Sequence, residues 1–302
     1  MILFPTDALE RSEVERDYRI EFEAACAAGF NTALFDFDGL RRGDTIEQIL
    51  RRVPQSISPQ ALIYRGWMLS EVDYARLETG LSSLGCKLIN DAGAYRFGHH
   101  APENYNLWQR WLPQTTWVER EKFEANGEVD FAPIFDALKQ FGAAPIIVKD
   151  WVKSQKHRWA QACFIPNASD KSAVRRIVNR FLELQGDYLT GGLVFRQFEK
   201  LRHNEAGQTF EWRSFWFDGQ LLSLSPNPVG AEKPTLEDVA EVASQYPSRF
   251  FTLDWAQRDD GQWMMIEMGD GGVLGLPSGI DVEEWYRNLK QAFDNDAVLA
   301  SS

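Results

Sequence analysis

Acidic residues surround a tight turn near the carboxyl end of the chain, in the segment FTLDWAQRDDGQWMMIEMGDGG (residues 251–272). The Asp-Asp-Gly triplet at 259–261 predicts a hairpin between two apolar runs. Asp254 lies on the first predicted strand, Glu267 at the end of the second, and Asp270 just beyond it. Mg²⁺ prefers hard oxygen ligands and usually takes one or two carboxylates together with substrate phosphates. The spacing suggests a magnesium–nucleotide site, although the same residues could be ordinary solvent-facing strand residues.

Basic residues follow a strongly apolar run in PIIVKDWVKSQKHRW (residues 145–159). Lys149 comes directly after the run, Lys153 stands four residues later, and 156–158 reads Lys-His-Arg. A lysine carried by a strand can contact a phosphate as a point charge, and a basic loop can cover the rest of a polyphosphate. The alternative is a solvated basic turn. Against it, Lys149 is expected to be partly buried, and a buried lysine needs a partner.

Two further strands carry polar residues that could bind a nucleotide. The strand in GGLVFRQFEKL (residues 191–201) leads into the polar segment 197–200, whose backbone groups could pair with an adenine edge. In FEWRSFWFDGQ, Glu211 and Arg213 are two residues apart and therefore share one face of a strand. Each of these features alone is common in strands that have no ligand.

The composition and net charge limit the classes of protein and partner that fit this sequence. The 302 residues are 44% apolar and 25% charged, as is typical of a soluble globular protein. The net charge of −12 argues against nucleic acid or an anionic membrane as a partner, because either requires an exposed basic face. Three cysteines without metal-ligand spacing, no signal peptide and no apolar run of roughly 20 residues favour a cytoplasmic location.

The predicted elements divide the chain into two parts. Over residues 1–112, strands alternate with helices, which predicts an open α/β lobe. Over residues 113–295, helices combine with antiparallel hairpins in an α+β pattern, including a hairpin over Asp218-Gly219 and a last helix at 282–293 that Asp281 caps. Residues 295–302 are expected to form a frayed tail.

The order of these features resembles the ATP-grasp superfamily. The matching elements are a lysine-bearing strand (PIIVKDW), a hinge strand (LVFRQFEKL), a Glu-x-Arg strand (EWRSFWFDGQ) and the acidic hairpin. More narrowly, VKDWVKSQKHRW, CFIP and IEMGDGGVLGLP resemble the family-three type of the clade named for an arginine and two lysines. The resemblance covers about 143–276, and YRGWMLS in the first lobe is also similar. It implies an N-terminal open α/β lobe and two α+β subdomains, 113–195 and 196–295, that clamp ATP.

The resemblance also implies roles for individual residues. Lys149 and Lys153 would contact nucleotide phosphates with Lys156, and Lys153 would also take part in catalysis. Either Arg196 or Arg213 would be the functional arginine of the clade. The remaining implied nucleotide-binding residues are Gln197, Phe198, Glu199 and Glu211, and the implied Mg²⁺ ligands are Asp254, Glu267 and Asp270.

Two departures from the superfamily pattern stand in this sequence. The segment after the lysine strand, SQKHRWAQA, has no glycine where many members have a glycine-rich phosphate loop. Gly269 occupies the position of the usual metal-binding asparagine, which leaves Asp270 or water to complete the metal shell.

One residue of the first lobe is a candidate for binding a substrate. Arg65 ends a predicted strand, where open α/β sheets place ligands, and its planar guanidinium suits a carboxylate. A role as an ordinary surface arginine is about equally compatible with the sequence.

The resemblance implies a Mg²⁺- and ATP-dependent carboxylate–amine ligase that forms an acylphosphate and releases ADP, with small-molecule or peptide substrates. Two alternatives stay open. One is a nucleotidyltransferase that uses Lys149 as a nucleophile, although no glycine follows Lys149-Asp150 as a Lys-x-Asp-Gly motif requires. The other is a degenerate module that binds nucleotide without catalysis.

Overall fold

The computed structural model describes residues 1–125 and 127–299 and contains two compact units. The first unit comprises 1–98, 204–255 and the chain from 267 onward, and the second comprises 99–203 and 256–266. These units interleave along the chain, whereas the predicted domains 1–112 and 113–295 are contiguous. The division into those domains stays a prediction.

The described residues form strands in four sheets, together with α-helices. The strands are β1 (Ile2–Pro5), β2 (Thr32–Phe35), β3 (Gln60–Tyr64), β4 (Cys86–Leu88), β5 (Thr115–Glu119), β6 (Glu124–Ala125), β7 (Glu128–Val129), β8 (Ile146–Asp150), β9 (Phe164–Ile165), β10 (Gly192–Gln197), β11 (Glu211–Phe217), β12 (Gln220–Pro226), β13 (Phe250–Gln257) and β14 (Trp263–Asp270). The helices are α1 (Arg19–Ala27), α2 (Phe37–Arg42), α3 (Ile46–Ile49), α4 (Glu71–Ser83), α5 (Ala92–His99), α6 (Ala101–Trp108), α7 (Arg120–Phe123), α8 (Ala132–Leu138), α9 (Trp159–Ala162), α10 (Lys171–Gln185), α11 (Glu237–Ala243) and α12 (Val282–Leu299).

A parallel sheet in the order β2-β1-β3-β4 lies at the amino end of the first unit. All four residues of β1 are buried, as expected for a central strand of a parallel sheet that is covered on both faces. Leu3 and Phe35 from the sheet share a core with Leu77 and Leu81 from α4. The prediction of an open α/β arrangement in this part of the chain is confirmed.

The second unit is built on an antiparallel sheet in the order β5-β10-β8-β9. Helix α10 begins at Asp170, whose carboxylate accepts hydrogen bonds from the backbone N–H groups of Ser172 and Ala173, both at 3.0 Å. The helix buries Val174, Ile177, Val178 and Phe181, which recur at helical spacing and form one core with residues of β8 and β10.

A third sheet, in the order β12-β11-β13-β14, contains both predicted hairpins. Positive φ angles at Asp218 (47°) and Gly219 (74°) allow the tight turn from β11 to β12, and Gly261 (φ 85°) does so in the turn between β13 and β14. Strand β13 starts in the first unit and β14 ends in it, while residues 256–266, at and around the turn between them, belong to the second unit. Both hairpin predictions are confirmed.

Helix α12 begins after Asp281, whose carboxylate accepts a hydrogen bond from the backbone N–H of Glu284 at 2.9 Å, which confirms the predicted cap. The helix runs beyond the predicted end at 293. Of the expected tail, 295–299 are helical, and 300–302 lie outside the described residues. Over the part of the chain that the structure describes, no helix is both long and apolar enough to cross a bilayer.

Arg65 follows β3 and is only 1% exposed. Its Nε and Nη2 donate to the two carboxylate oxygens of Glu21 at 2.7 and 2.8 Å, and its Nη1 donates to the carbonyl of Leu274 at 2.8 Å and of Gly272 at 3.2 Å. The hydroxyl of Tyr286 also donates to Glu21, at 2.7 Å. Acceptors within the protein thus bind the guanidinium on every side described. This favours a structural role for Arg65 over the binding of a substrate carboxylate.

Replacing Glu21 with alanine should destabilise the protein by about 3–5 kcal/mol, because the buried guanidinium of Arg65 would lose its counter-ion. Chemical denaturation followed by circular dichroism measures this loss. Glu23→Ala is the matched control: Glu23 is exposed on the same helix, and its loss should cost no more than about 0.5 kcal/mol. Equal stability of the two variants would contradict the structural role.

Candidate functional site

Lys149 lies near the end of β8, opposite Val194 of β10. The side chains of β8 alternate, so that Val148 and Asp150 are buried while Lys149 lies on the other face and is partly buried, as predicted. Its Nζ donates a hydrogen bond to the carbonyl of Val152 at 3.2 Å. The lysine is therefore held over the turn that follows its own strand.

Lys153 and Lys156 lie in the exposed segment after this turn. Lys156 begins a short 3-10 helix at Lys156–Arg158, in which no residue is buried. The predicted basic segment is therefore an accessible positive surface that extends from the end of β8. Accessible ammonium and guanidinium groups can bind an anionic ligand such as a polyphosphate.

The predicted hinge is well ordered by hydrogen bonds within the second unit. The backbone N–H of Phe198 donates to the carbonyl of Pro145 at 2.9 Å, and the amide of Gln197 donates to Glu199 at 3.1 Å. Arg196 on β10 is 9% exposed and donates through Nη1 to the carbonyl of Ile266 at 2.9 Å. The structure therefore places Arg196, Gln197, Phe198 and Glu199 in the same unit as the lysines.

An aromatic cluster, which sequence reasoning missed, connects the basic segment with the hinge. The rings of Trp159 and Phe164 are stacked with centroids 5.5 Å apart, and Phe198 packs edge-on against Phe164 at 5.1 Å. Trp159 stays 40% exposed. The available signal was the occurrence of aromatic residues in each of three motifs, but their separation in sequence concealed the contact.

Arg213 and Asp254 form a bidentate ion pair in the first unit. Arg213 Nε and Nη2 donate to the two oxygens of Asp254 at 2.8 and 2.6 Å, and Nη1 donates to the carbonyl of Gly275 at 2.7 Å. Asp254 is 2% exposed. Burial would lower the pKa of Arg213, but its hydrogen bonds to Asp254 and the negative charges of Asp254 and Glu267 outweigh burial and raise the pKa. Glu267, which is exposed, thus acts on the same guanidinium.

Glu211 lies at the start of β11, two residues before Arg213, as the predicted strand requires. Its carboxylate accepts a hydrogen bond from the hydroxyl of Thr209. Ser214, which lies on the opposite strand face, is buried and accepts hydrogen bonds from the indole N–H groups of Trp216 (2.9 Å) and Trp255 (3.1 Å). Glu211 and Arg213 therefore share one face of β11, as predicted, while Ser214 on the other face forms hydrogen bonds in the core.

Asp270 is buried and bonded within the protein. Its two oxygens accept from the side-chain amide of Asn90 at 2.6 Å and from the backbone N–H of Gly272 at 2.7 Å. Burial raises the pKa of Asp270 to about 6, while the hydrogen bonds from Asn90 and Gly272 act against that rise. Asn90 also bonds the backbone of Phe250, so this cluster joins the ends of β4, β13 and β14.

The three predicted Mg²⁺ ligands are Asp254, Glu267 and Asp270. Asp254 and Glu267 fit an ion that takes one or two carboxylates plus phosphates and water. Within residues 1–125 and 127–299, no three His, Cys, Asp or Glu side chains cluster as a metal site. The structure therefore does not bring Asp254, Glu267 and Asp270 together as a set of three.

Solved structures that match over nearly the whole chain show its fold. A RimK domain ATP-grasp protein from Sphaerobacter thermophilus covers 97% of this chain and 99% of its own, with a TM-score of 0.58 and 15% identity. D-cycloserine synthetase DcsG covers 96% and 98%, with a TM-score of 0.56 and 16% identity. The ATP-grasp ligase PsnB in complex with minimal precursor, Mg and ADP covers 97% of both chains, with a TM-score of 0.55 and 13% identity. The chain has the ATP-grasp fold.

Residues 140–289 match a family model, that of the ATP-grasp domain of family 3 in the clade named for an arginine and two lysines, and this domain of the chain belongs to that family. No curated protein matches the sequence. The predictions of the fold class and of the family are confirmed. Two of the similar structures are named a synthetase and a ligase. The predicted site residues other than Arg65 all lie within the matched segment.

The buried carboxyl of Asp270 should make stability depend on pH. Because its pKa is about 6 in the folded protein and 3.8 ordinarily, the folded state binds the proton more tightly between these values. Stability should therefore fall as pH rises from about 4 to about 6, by about 3 kcal/mol in total. Urea denaturation of wild type and Asp270→Asn across this range measures the effect. The variant should lack this component, and parallel curves would contradict it.

Proposed function

We propose that the chain is a Mg²⁺- and ATP-dependent ligase that joins a carboxylate to an amine. The observation that carries the proposal is the buried pair of Arg213 with Asp254, beside Glu267, inside a domain of the ATP-grasp family. A guanidinium and two carboxylates in one place can hold a metal–nucleotide and neutralise the charge that develops during phosphoryl transfer.

The basic segment supplies the second part of the proposal. Lys149, Lys153 and Lys156 would bind the phosphates of ATP as point charges. Gln197 to Glu199, next to the aromatic cluster, would bind the adenine. Their support is that all of them lie in the second unit, where the rings of Trp159, Phe164 and Phe198 connect the basic segment with the hinge.

Asp254 and Glu267 would hold the Mg²⁺, which when bound neutralises phosphate charge. Asp254 would then share its oxygens between the metal and Arg213. Asp270 would support this region through its bonds to Asn90 and Gly272.

The proposed reaction has two steps. A carboxylate oxygen of the first substrate attacks the γ-phosphorus of ATP, so that the bond from this phosphorus to the bridging oxygen breaks and ADP leaves. The amine of the second substrate then attacks the acyl carbon, phosphate leaves, and the amine loses a proton. Arg213 and Lys153 stabilise the negative charge of the transferred group, with Arg196 as the alternative arginine, and catalysis is mainly positioning and electrostatics.

The substrates belong to the same proposal. PsnB is an ATP-grasp ligase complexed with a precursor peptide, and DcsG is a synthetase of a small molecule, so both peptide and small-molecule substrates are compatible with the fold. We also propose that the protein acts in the cytoplasm without a nucleic acid or membrane partner. Support comes from the free thiols of Cys26, Cys86 and Cys163 and from the net charge of −12.

A nucleotide-binding module without catalysis is the second candidate. Gly269 at the position of the usual metal-binding asparagine and the glycine-free segment after the lysine strand favour it. The two candidates differ in turnover: a ligase releases ADP when it is supplied with an acid and an amine.

Lys149→Ala should weaken binding of ATP by about 10- to 100-fold, because one charge-assisted contact to a phosphate is lost. Isothermal titration calorimetry with ATP and Mg²⁺ measures this change. Lys139→Ala is the control, since Lys139 is an exposed lysine of the same unit that pairs with Asp136. Folded wild-type protein that binds no ATP would overturn the proposed function.

Glu267→Gln should abolish the gain in ATP affinity that Mg²⁺ provides, because the amide is a weaker ligand for a hard cation, while affinity without Mg²⁺ should change little. The same titrations with and without Mg²⁺ test this. Glu283→Gln, an exposed substitution on α12, should keep the full Mg²⁺ dependence. An unchanged Mg²⁺ dependence in Glu267→Gln would remove this residue from the proposed metal site.

A further inference from the structure

We infer that Asp150 is a positioning residue that fixes the turn carrying Lys149 and Lys153, and that its carboxylate acts on nucleotide binding through these two lysines. The inference rests on the proposed function, in which the lysines bind the phosphates of ATP. Asp150 is the last residue of β8 and is 1% exposed. A carboxylate so deeply buried is tolerated only when hydrogen bonds satisfy it.

One oxygen of Asp150 organises the turn itself. Its Oδ1 accepts hydrogen bonds from the backbone N–H groups of Val152, at 2.7 Å, and of Lys153. The backbone N–H of Asp150 donates in return to the carbonyl of Lys153 at 2.9 Å. The turn is therefore closed by hydrogen bonds from both the backbone and the side chain of one residue.

The closed turn determines where both lysines are held. The carbonyl of Val152, which lies in the turn, accepts the hydrogen bond from Nζ of Lys149 at 3.2 Å. The backbone of Lys153 is fixed by its N–H and its carbonyl, which both bond to Asp150. Loss of the carboxylate would release the Val152 carbonyl, which binds Nζ of Lys149, and the backbone of Lys153.

The other oxygen of Asp150 connects the turn to helix α10. Its Oδ2 accepts a hydrogen bond from the side-chain amide of Gln185, the buried last residue of α10, at 2.7 Å. The carbonyl oxygen of this Gln185 amide accepts from the amide of Gln155 at 2.6 Å. The backbone N–H of Thr190 lies at 3.4 Å from Oδ2. A chain of side-chain hydrogen bonds thus holds the basic segment at two points, Asp150 and Gln155.

The hydrogen bonds of Asp150 fix a segment that contains no glycine. Between 143 and 185 the chain contains no glycine, so the turn and the basic segment cannot use the positive φ angles that glycine readily adopts. Hydrogen bonds from a buried side chain fix such a segment before a ligand arrives, which reduces the conformational entropy lost on binding.

A double-mutant cycle separates positioning from simple stabilisation. The affinity for ATP in the presence of Mg²⁺ is measured by calorimetry for Asp150→Ala and Asp150→Asn, each alone and in the Lys149→Ala background. Asp150→Ala should weaken binding about tenfold in the wild-type background and less than about threefold in the Lys149→Ala background. Asp150→Asn should lose less affinity than Asp150→Ala, because its carbonyl oxygen can keep both backbone hydrogen bonds of the turn while its amide nitrogen cannot accept the hydrogen bond from Gln185.

Asp170→Ala is the matched control. Asp170 also accepts two backbone hydrogen bonds in this unit, but at the opposite end of α10. Its removal should lower the midpoint of thermal unfolding and leave the affinity for ATP within about twofold. Thermal unfolding confirms that each variant folds. If Asp150→Ala does not fold, Gln185→Leu enters the same cycle, since it removes the link from Asp150 to α10.

The outcomes distinguish the inference from the proposed function. If wild type binds ATP, Lys149→Ala weakens binding and Asp150→Ala does not, the inference fails and the proposed function stands. Equal losses from Asp150→Ala in both backgrounds would assign Asp150 a general structural role and also overturn the inference. Wild-type protein without affinity for ATP overturns both.

Discussion

Burial of Asp254 on β13 is the constraint on which the arrangement of β11, β13 and the segment after β14 depends. All eight residues of β13 are buried, and a carboxylate in such a strand requires a cation with matched geometry. Arg213 meets this requirement through two parallel hydrogen bonds, and its third donor group bonds the carbonyl of Gly275. One ion pair therefore joins β11, β13 and the segment after β14, and it fixes the charged groups that the proposed chemistry uses.

Two other buried carboxylates are satisfied by neutral hydrogen-bond donors instead of a cation. Asp150 holds the turn after β8, and Asp270 holds the segment after β14 through Asn90 and Gly272. In each case an acidic side chain at the end of a strand accepts hydrogen bonds from backbone N–H groups of the segment that follows and from a side-chain amide elsewhere in the chain. The segments that carry candidate functional groups are thus shaped by buried acids, which connects the stability of this fold with the placement of its charges.

Sequence features predicted well what depends on local conformation. Both hairpins follow from Gly219 and Gly261, which supply positive φ angles, and the last helix begins where Asp281 can cap it. The family resemblance also identified the domain, because its motifs preserve their order along the chain. These signals need only neighbouring residues or the order of segments.

Features that depend on distant partners could not be predicted in the same way. The sequence around Arg65 is compatible with a ligand-binding arginine. In the structure Arg65 pairs with Glu21, which lies 44 residues earlier. The role of Asp150 depends on Gln185, 35 residues later, and the aromatic cluster depends on rings from three separate motifs. Such pairings arise from tertiary structure, where hydrophobic periodicity and turn residues carry no information.

The interleaving of the two units along the chain has a consequence for folding during synthesis. The sheet of β1 to β4 is complete once residue 88 has been added, but Arg65 and Asn90 bond to groups at 249–274. The second unit, whose main segment ends at 203, is translated in between. The hydrogen bonds of Arg65 and Asn90 to these groups can therefore form only after the carboxyl-terminal segments have been translated, so completion of the first unit depends on contacts between residues far apart in sequence, which form slowly.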